Sequence, residues 1–189
     1  MRQPMKWGEM IVPYVAAWSS ETPSHVAVDS NASNMHAVFR GGTRGEGRPG
    51  FGKMDETRQR ECMTRRRCQV CRVPLDRRFV MEYPETIQQG FISYPMITEP
   101  PTCGKCAIYS LENCPGIKNR MNDPKYLLAE VFVYRCVAQI IKPAHVPGYE
   151  QLDKVLSDFG KPAVGYVKAM LERYDKLTLD EFRERIAHG

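Results

Sequence analysis

An α+β fold is predicted by three features of the sequence. Two Cys-x-x-Cys pairs, Cys68-Gln-Val-Cys71 and Cys103-Gly-Lys-Cys106, flank residues 72–102, which contain stretches of strand-type composition. Residues Tyr126–Ile141 are dense in β-branched and aromatic side chains, with Glu130, Arg135 and Gln139 as the only strongly polar members. Beyond Pro143 the apolar residues recur every three or four positions, the period of a helix. The expected architecture is a small antiparallel sheet with a four-cysteine knuckle, of zinc-ribbon or treble-clef type, over residues 1–143. A helical segment, residues 144–189, is expected to pack on it.

Taken in order, Glu9–Trp18 reads as a strand bent at Pro13, because proline has no N–H to give to a ladder. Ser19–Asn34, rich in Ser, Thr, Pro, Asn and Asp, reads as a loop with one weak strand at Val26-Ala-Val28, and Met35–Arg40 as a further short strand. Gly41–Gly52, with its repeated glycines, predicts a flexible loop. Asp55 is placed to cap a helix through Arg66, with Glu56 in the first turn and arginines in the last, as the helix dipole favours. Arg78–Tyr83 and Gly90–Tyr94 predict two strands about a turn at Pro84–Gln89. Ala107–Asn113 suits one or two helical turns stopped at Cys114-Pro115-Gly116, and Tyr126–Ile141 suits long strand structure. Tyr149–Phe159 and Ala163–Tyr174 read as helices, and Thr178-Leu-Asp-Glu181 is a capping-box pattern opening a last one through Ile186. His145, between two prolines, reads as an exposed loop residue, and Trp7 and Trp18 as packing residues.

Seven cysteines, an odd number, with two pairs at metal-ligand spacing, suit a reducing compartment better than a secreted disulfide framework. No apolar run is long enough to span a bilayer, and no signal-peptide pattern follows the basic N-terminus, so no membrane association and a cytoplasmic location are expected. Two residues between cysteines let both thiolates turn toward one ion, and four soft ligands suit tetrahedral Zn²⁺. Cys68, Cys71, Cys103 and Cys106 are therefore the expected ligands of a structural zinc. Reduced buried thiols and a redox pair are the competing readings. Cys136, in the apolar run, reads as a small core residue, and Cys114 as the one credible substitute ligand.

Between Arg58 and Arg78 the chain carries eight arginines against Glu61 and Asp76, whereas its net charge is only +5. Arg58, Arg60, Arg65, Arg66 and Arg67 are the candidates for contacting the phosphates of DNA or RNA. The bland alternative is that these cations neutralise a four-thiolate zinc centre, formally −2, or solvate a helix face. Catalytic patterns are lacking: the deaminase-like Pro-x-Cys-x-x-Cys has no upstream His-x-Glu, no histidine lies within residues 37–144, and the glycine-rich loop lacks a Gly-Lys-Ser/Thr ending.

Further pieces stand out beside the first pair: Pro13-Tyr-Val-Ala-Ala-Trp-Ser-Ser-Glu21, Arg48-Pro-Gly-Phe-Gly52, Arg58-Gln-Arg60, Pro100-Pro-Thr-Cys-Gly-Lys-Cys-Ala107 and Cys114-Pro115. In these the chain resembles a family of four-cysteine (CxxC…CxxC) zinc-binding proteins from actinobacteria and actinobacteriophages. The resemblance implies such an origin and a four-cysteine centre, and no particular activity. Relatives typically have histidine after Cys-Pro; Gly116 stands there here, which weakens any metal role for that position. The function expected first is non-enzymatic zinc-supported contact with nucleic acid. A protein-interaction module engaging a host or phage protein through the C-terminal helices is the second reading, and an enzyme with an unrecognised site, such as a nuclease, the third.

Overall fold

The computed structural model describes residues 4–144 and 149–187; His145 and Pro147 lie outside the described residues. The chain opens with β1 (Lys6–Trp7), β2 (Met10–Ile11), β3 (Ala16–Trp18) and β4 (Thr22–Asp29). A 3-10 turn, Ser30–Ala32, leads to β5 (Met35–Gly41), β6 (Pro49–Met54) and α1 (Glu56–Thr64). Then come β7 (Phe79–Glu82), β8 (Glu85–Gln89), β9 (Ile92–Ile97), α2 (Gly104–Asn113) and α3 (Pro115–Lys118). The last elements are β10 (Leu127–Ile141), α4 (Glu150–Phe159), β11 (Ala163–Lys176) and α5 (Leu179–Ala187).

Among the described residues the main sheet has seven strands in the order β4-β5-β11-β10-β7, with the β8–β9 hairpin joined through β9 to β11. β10 and β11 pair antiparallel from Ala129↔Lys176 to Ile141↔Ala163, whereas β5 meets β11 in parallel at Val164↔Ala37. The sheet is therefore mixed and larger than the small antiparallel one expected. Because side chains alternate along a strand, its two faces carry separate cores. Met63 of α1 packs with Val80, Leu127, Ala129, Val167 and Leu171 on one, and Ala107 and Leu111 of α2 pack with Phe79, Met81, Leu128 and Phe182 on the other. α4 adds Leu152 and Leu156 over Val26, Val38 and Ala163.

The helix expected over Ala163–Tyr174 is corrected to a strand. Ala163–Leu171 is buried almost throughout, because helices and the β9 hairpin cover β11 from several sides. A strand covered on both faces reads as a near-continuous apolar run, in which three- and four-residue spacings occur by default. The C-terminal segment is thus not wholly helical, although α4 and α5 form as expected. α4 ends at Gly160, whose φ of +71° is the left-handed C-cap that glycine adopts without strain. α5 opens on the capping box: Thr178 N–H donates to Glu181 Oε2 at 2.7 Å and Glu181 N–H to Thr178 Oγ1 at 3.3 Å.

Four other expectations need correction. Pro84–Gln89 is mostly strand β8 and not a turn; the hairpin closes at Gly90-Phe91, while β7 pairs with β10. The loop expected over Ser19–Asn34 holds the eight-residue β4, whose weak local signal is completed by pairing with β5. The glycine-rich stretch ends in strand β6, paired with β3. Helix α2 begins at Gly104, earlier than expected, and Pro115 starts α3 where a stop was predicted, proline being well suited to a first helical position.

Candidate metal centre and the arginines around it

The first knuckle follows directly from α1. After Thr64 the chain turns through Arg66, at φ +50°, and forms a tight loop in which Cys68 N–H donates to Val73 O at 2.8 Å and Arg72 N–H to Cys68 O at 2.8 Å. Arg72 takes the left-handed conformation, φ +63°, that reverses the chain after Cys71. The loop is stitched outward: Tyr14 N–H donates to Val70 O at 3.0 Å, Val15 N–H to Gln69 O at 3.1 Å, and Gln69 N–H to Pro101 O at 3.2 Å. The last of these ties it to the segment carrying the second pair. Paired bonds between Phe79 and Thr102 fix that segment to β7.

The second pair opens α2. Cys103 is the N-cap residue and Cys106 lies in the first turn, so both sulfurs sit by the positive end of the helix dipole, which favours thiolate. Gly104, between them, lets α5 approach closely: a Cβ there would meet Ile186 Cγ2 at 3.0 Å.

The four Sγ atoms of Cys68, Cys71, Cys103 and Cys106 lie within 4.8 Å of one another, with Cys71 and Cys103 3.8 Å apart. A tetrahedral ion with metal–sulfur bonds of about 2.3 Å sets its sulfurs about 3.8 Å apart, so the donor set fits such an ion. None of the cysteines is in a disulfide. Hydrogen bonding among the sulfurs divides their acidity: the bond from Cys106 holds Cys103 low, and bonds to its neighbours push Cys68 up. Val70 and Leu75 wrap the cluster in apolar side chains. Cys114 is not one of the four, and Cys136 is exposed on β10, not a core residue.

The five candidate arginines do not form one face. Arg58 reaches inward, its Nη1 and Nη2 donating to Glu21 at 2.6 and 2.7 Å and Nη2 also to Ala16 O. Arg60 is 0% exposed; Nε donates to Asp29 Oδ2 at 2.7 Å, Nη1 to Gly165 O at 2.7 Å and Nη2 to Val38 O at 2.9 Å. A guanidinium so enclosed cannot meet a phosphate from solvent, which removes Arg60 from the contact set and leaves Arg58, 11% exposed, in an internal ion pair. Arg67 turns back on its own knuckle, donating to Arg72 O at 3.2 Å. Arg65 and Arg66 are exposed.

Helix α1 is thus a polar linchpin. Asp55 Oδ1 accepts the Arg58 N–H at 2.8 Å as predicted for the cap. Gln59 bridges Thr98 O and Val167 O at 2.6 and 2.7 Å, and Glu56 pairs with Arg40. The acidic partners Glu21, Asp29 and Glu56 were not legible as site residues. The one available signal is that α1 has no apolar stripe, unlike a helix that merely rests on a core.

No helix among the described residues is long and apolar enough to cross a membrane. No protein-family model, no curated protein and no solved structure matches the chain, so its function is to be inferred from its own geometry.

Proposed function

We propose that Cys68, Cys71, Cys103 and Cys106 hold a structural Zn²⁺, and that the protein is a non-enzymatic scaffold contacting DNA or RNA through its exposed arginines. The closed thiolate set is the observation that carries this reading. Four sulfurs occupy every position of a tetrahedral ion, so the metal would contribute folding free energy and leave no site for water or substrate. The second pair opens a helix and not a second hairpin, which favours a treble-clef-like over a ribbon-like centre. The ion would clamp the loop after α1 to the start of α2, which the backbone bond from Gln69 N–H to Pro101 O also ties together. Nucleic acid is favoured as partner by the exposed Arg65 and Arg66 beside this clamp, neither of which is within ion-pair distance of a carboxylate among the described residues.

The test is metal analysis together with oligonucleotide binding at low salt. One zinc per chain is expected, lost in Cys68→Ser; a protein without zinc, or a variant retaining it, refutes the centre. A zinc-loaded protein that binds no nucleic acid would shift the reading to a protein-interaction module. That alternative is favoured by the β8–β9 hairpin, which has no charged residue from Thr86 through Thr98 and carries Phe91 fully exposed at its tip.

A further inference from the structure

The chain pairs most of its inward-turned arginines with carboxylates: Arg40 with Glu56, Arg58 with Glu21, Arg60 with Asp29, Arg77 with Glu130. Among the described residues Arg44, Arg48, Arg65, Arg66, Arg78, Arg120 and Arg173 form no such pair, and three of these, Arg66, Arg78 and Arg173, lie against one piece of β10. The Arg66 guanidinium carbon stands 5.7 Å from the centre of the Tyr134 ring, and that of Arg78 stands 5.9 Å from the same ring. Arg78 also donates through Nε to Val131 O at 3.0 Å and through Nη2 to Phe132 O at 2.6 Å. Arg173 lies 5.6 Å from the Phe132 ring. Arg65, next to Arg66, is steadied by a neutral partner, Asn31 Oδ1, at 2.9 Å.

Two independent backbone irregularities build this arrangement. The β10–β11 register shifts between Val131 and Val133 and again before Tyr134, so Phe132 sits in a bulge. Bulges re-aim side chains and free carbonyls, and here the carbonyls of Val131 and Phe132 hold Arg78. Arg66 adopts φ +50°, a left-handed conformation that is unfavourable for a non-glycine residue and persists only where its surroundings impose it. That turn places Arg66 by Tyr134. Packing alone would need neither: apolar side chains could cover Tyr134 without gathering like charges around a ring whose hydroxyl is already bonded to Met63 O at 2.6 Å.

We propose that Arg66, Arg78 and Arg173, with Arg65 at their margin, form the nucleic-acid-binding surface of this protein, and that they contact backbone phosphates. This rests on the nucleic-acid reading above and extends its contact from Arg65 and Arg66 to the β10 bulge. Guanidiniums on aromatic faces spend no N–H on a carboxylate, and several separated guanidiniums match a repeating phosphate chain better than a single phosphate. The surface joins the C-terminal end of α1 to a bulged strand, and its arginines are directed to phosphates and not to base edges, so binding is tolerant of base sequence and strongly dependent on salt.

The experiment compares short duplex and single-stranded oligonucleotides with the wild-type protein, Arg66→Glu/Arg173→Glu, and the control Lys118→Glu/Lys154→Glu, which changes net charge equally on exposed residues elsewhere. Arg78 is left intact because its carbonyl bonds support the fold, and zinc content and circular dichroism confirm each variant. Expected is a loss of about tenfold or more in affinity for the arginine variant, with the log–log salt slope on duplex reduced by about 1.8, two contacts at about 0.9 each. The control changes little. Equal losses in both variants, or binding by the arginine variant like wild type, overturn this surface while the nucleic-acid reading stands. Wild-type protein that binds neither oligonucleotide at low salt overturns both.

Discussion

Arg60 and Arg65 are five residues apart on a basic run, and nothing local distinguishes them. One is enclosed by Asp29, Val38 and Gly165, the other reaches an asparagine at the surface. Breaking a buried ion pair by removing one partner leaves an uncompensated charge and costs about 3–5 kcal/mol, whereas an exposed change stays within about 0.5 kcal/mol. Urea unfolding of Arg60→Ala and Arg65→Ala should show that contrast. Lysine at position 60 should not restore stability, since a single ammonium cannot reproduce bonds to three separated acceptors in the fork geometry of a guanidinium. Similar losses in Arg60→Ala and Arg65→Ala would show that the ion pair has been misread. The cysteines are the opposite case, because their spacing alone defines how two thiolates can meet one ion.

At the scale of elements, α1 and β11 are the two whose meaning changed most. α1 was legible as a helix, down to the Asp55 cap, but not as one buried among the strands through Glu56, Gln59 and Arg60. β11 has a helix-like apolar spacing because a strand covered on both faces loses the alternation that marks a half-buried one. It is the centre of the sheet, contacting β10, β5 and β9. A chain ended after Phe159 is therefore expected to lose cooperative folding and dispersed amide signals, whereas a dispensable helical tail would leave the remainder folded. β10 kept its identity because its β-branched and aromatic residues leave few alternatives over fifteen positions.

For the whole molecule, the dependence of stability on pH follows from where the carboxyls lie. Burial, reinforced by the charge of Glu99, holds the Glu82 carboxyl up to about 8 from an ordinary 4.5, against the pull of the Thr98 and Glu99 N–H groups that donate to it at 3.0 and 2.8 Å. The folded state then binds more protons than the unfolded between about 4.5 and 8, so this group's contribution falls as pH rises through that window. Glu130 acts in the other direction: the hydrogen bond from Arg77 lowers it, and the stability it gives above the ordinary carboxylate range is lost in acid. Unfolding midpoints across neutral pH should flatten in Glu82→Gln; an unchanged slope would assign the dependence elsewhere.

Sequence by itself determined what is local: the metal-ligand spacing of the four cysteines, the Asp55 cap, the Thr178–Glu181 capping box and the strand character of residues 127–141. Each depends on residues a few positions apart, whose chemistry can be read without knowing what lies across the fold. Tertiary structure alone decided which arginines are internal struts and which stay free, because their partners, Glu21, Asp29, Tyr134 and Phe132, come from segments distant in the chain. A guanidinium carries the same charge in either setting, and burial with a carboxylate or exposure against an aromatic ring is settled only when those strands pair.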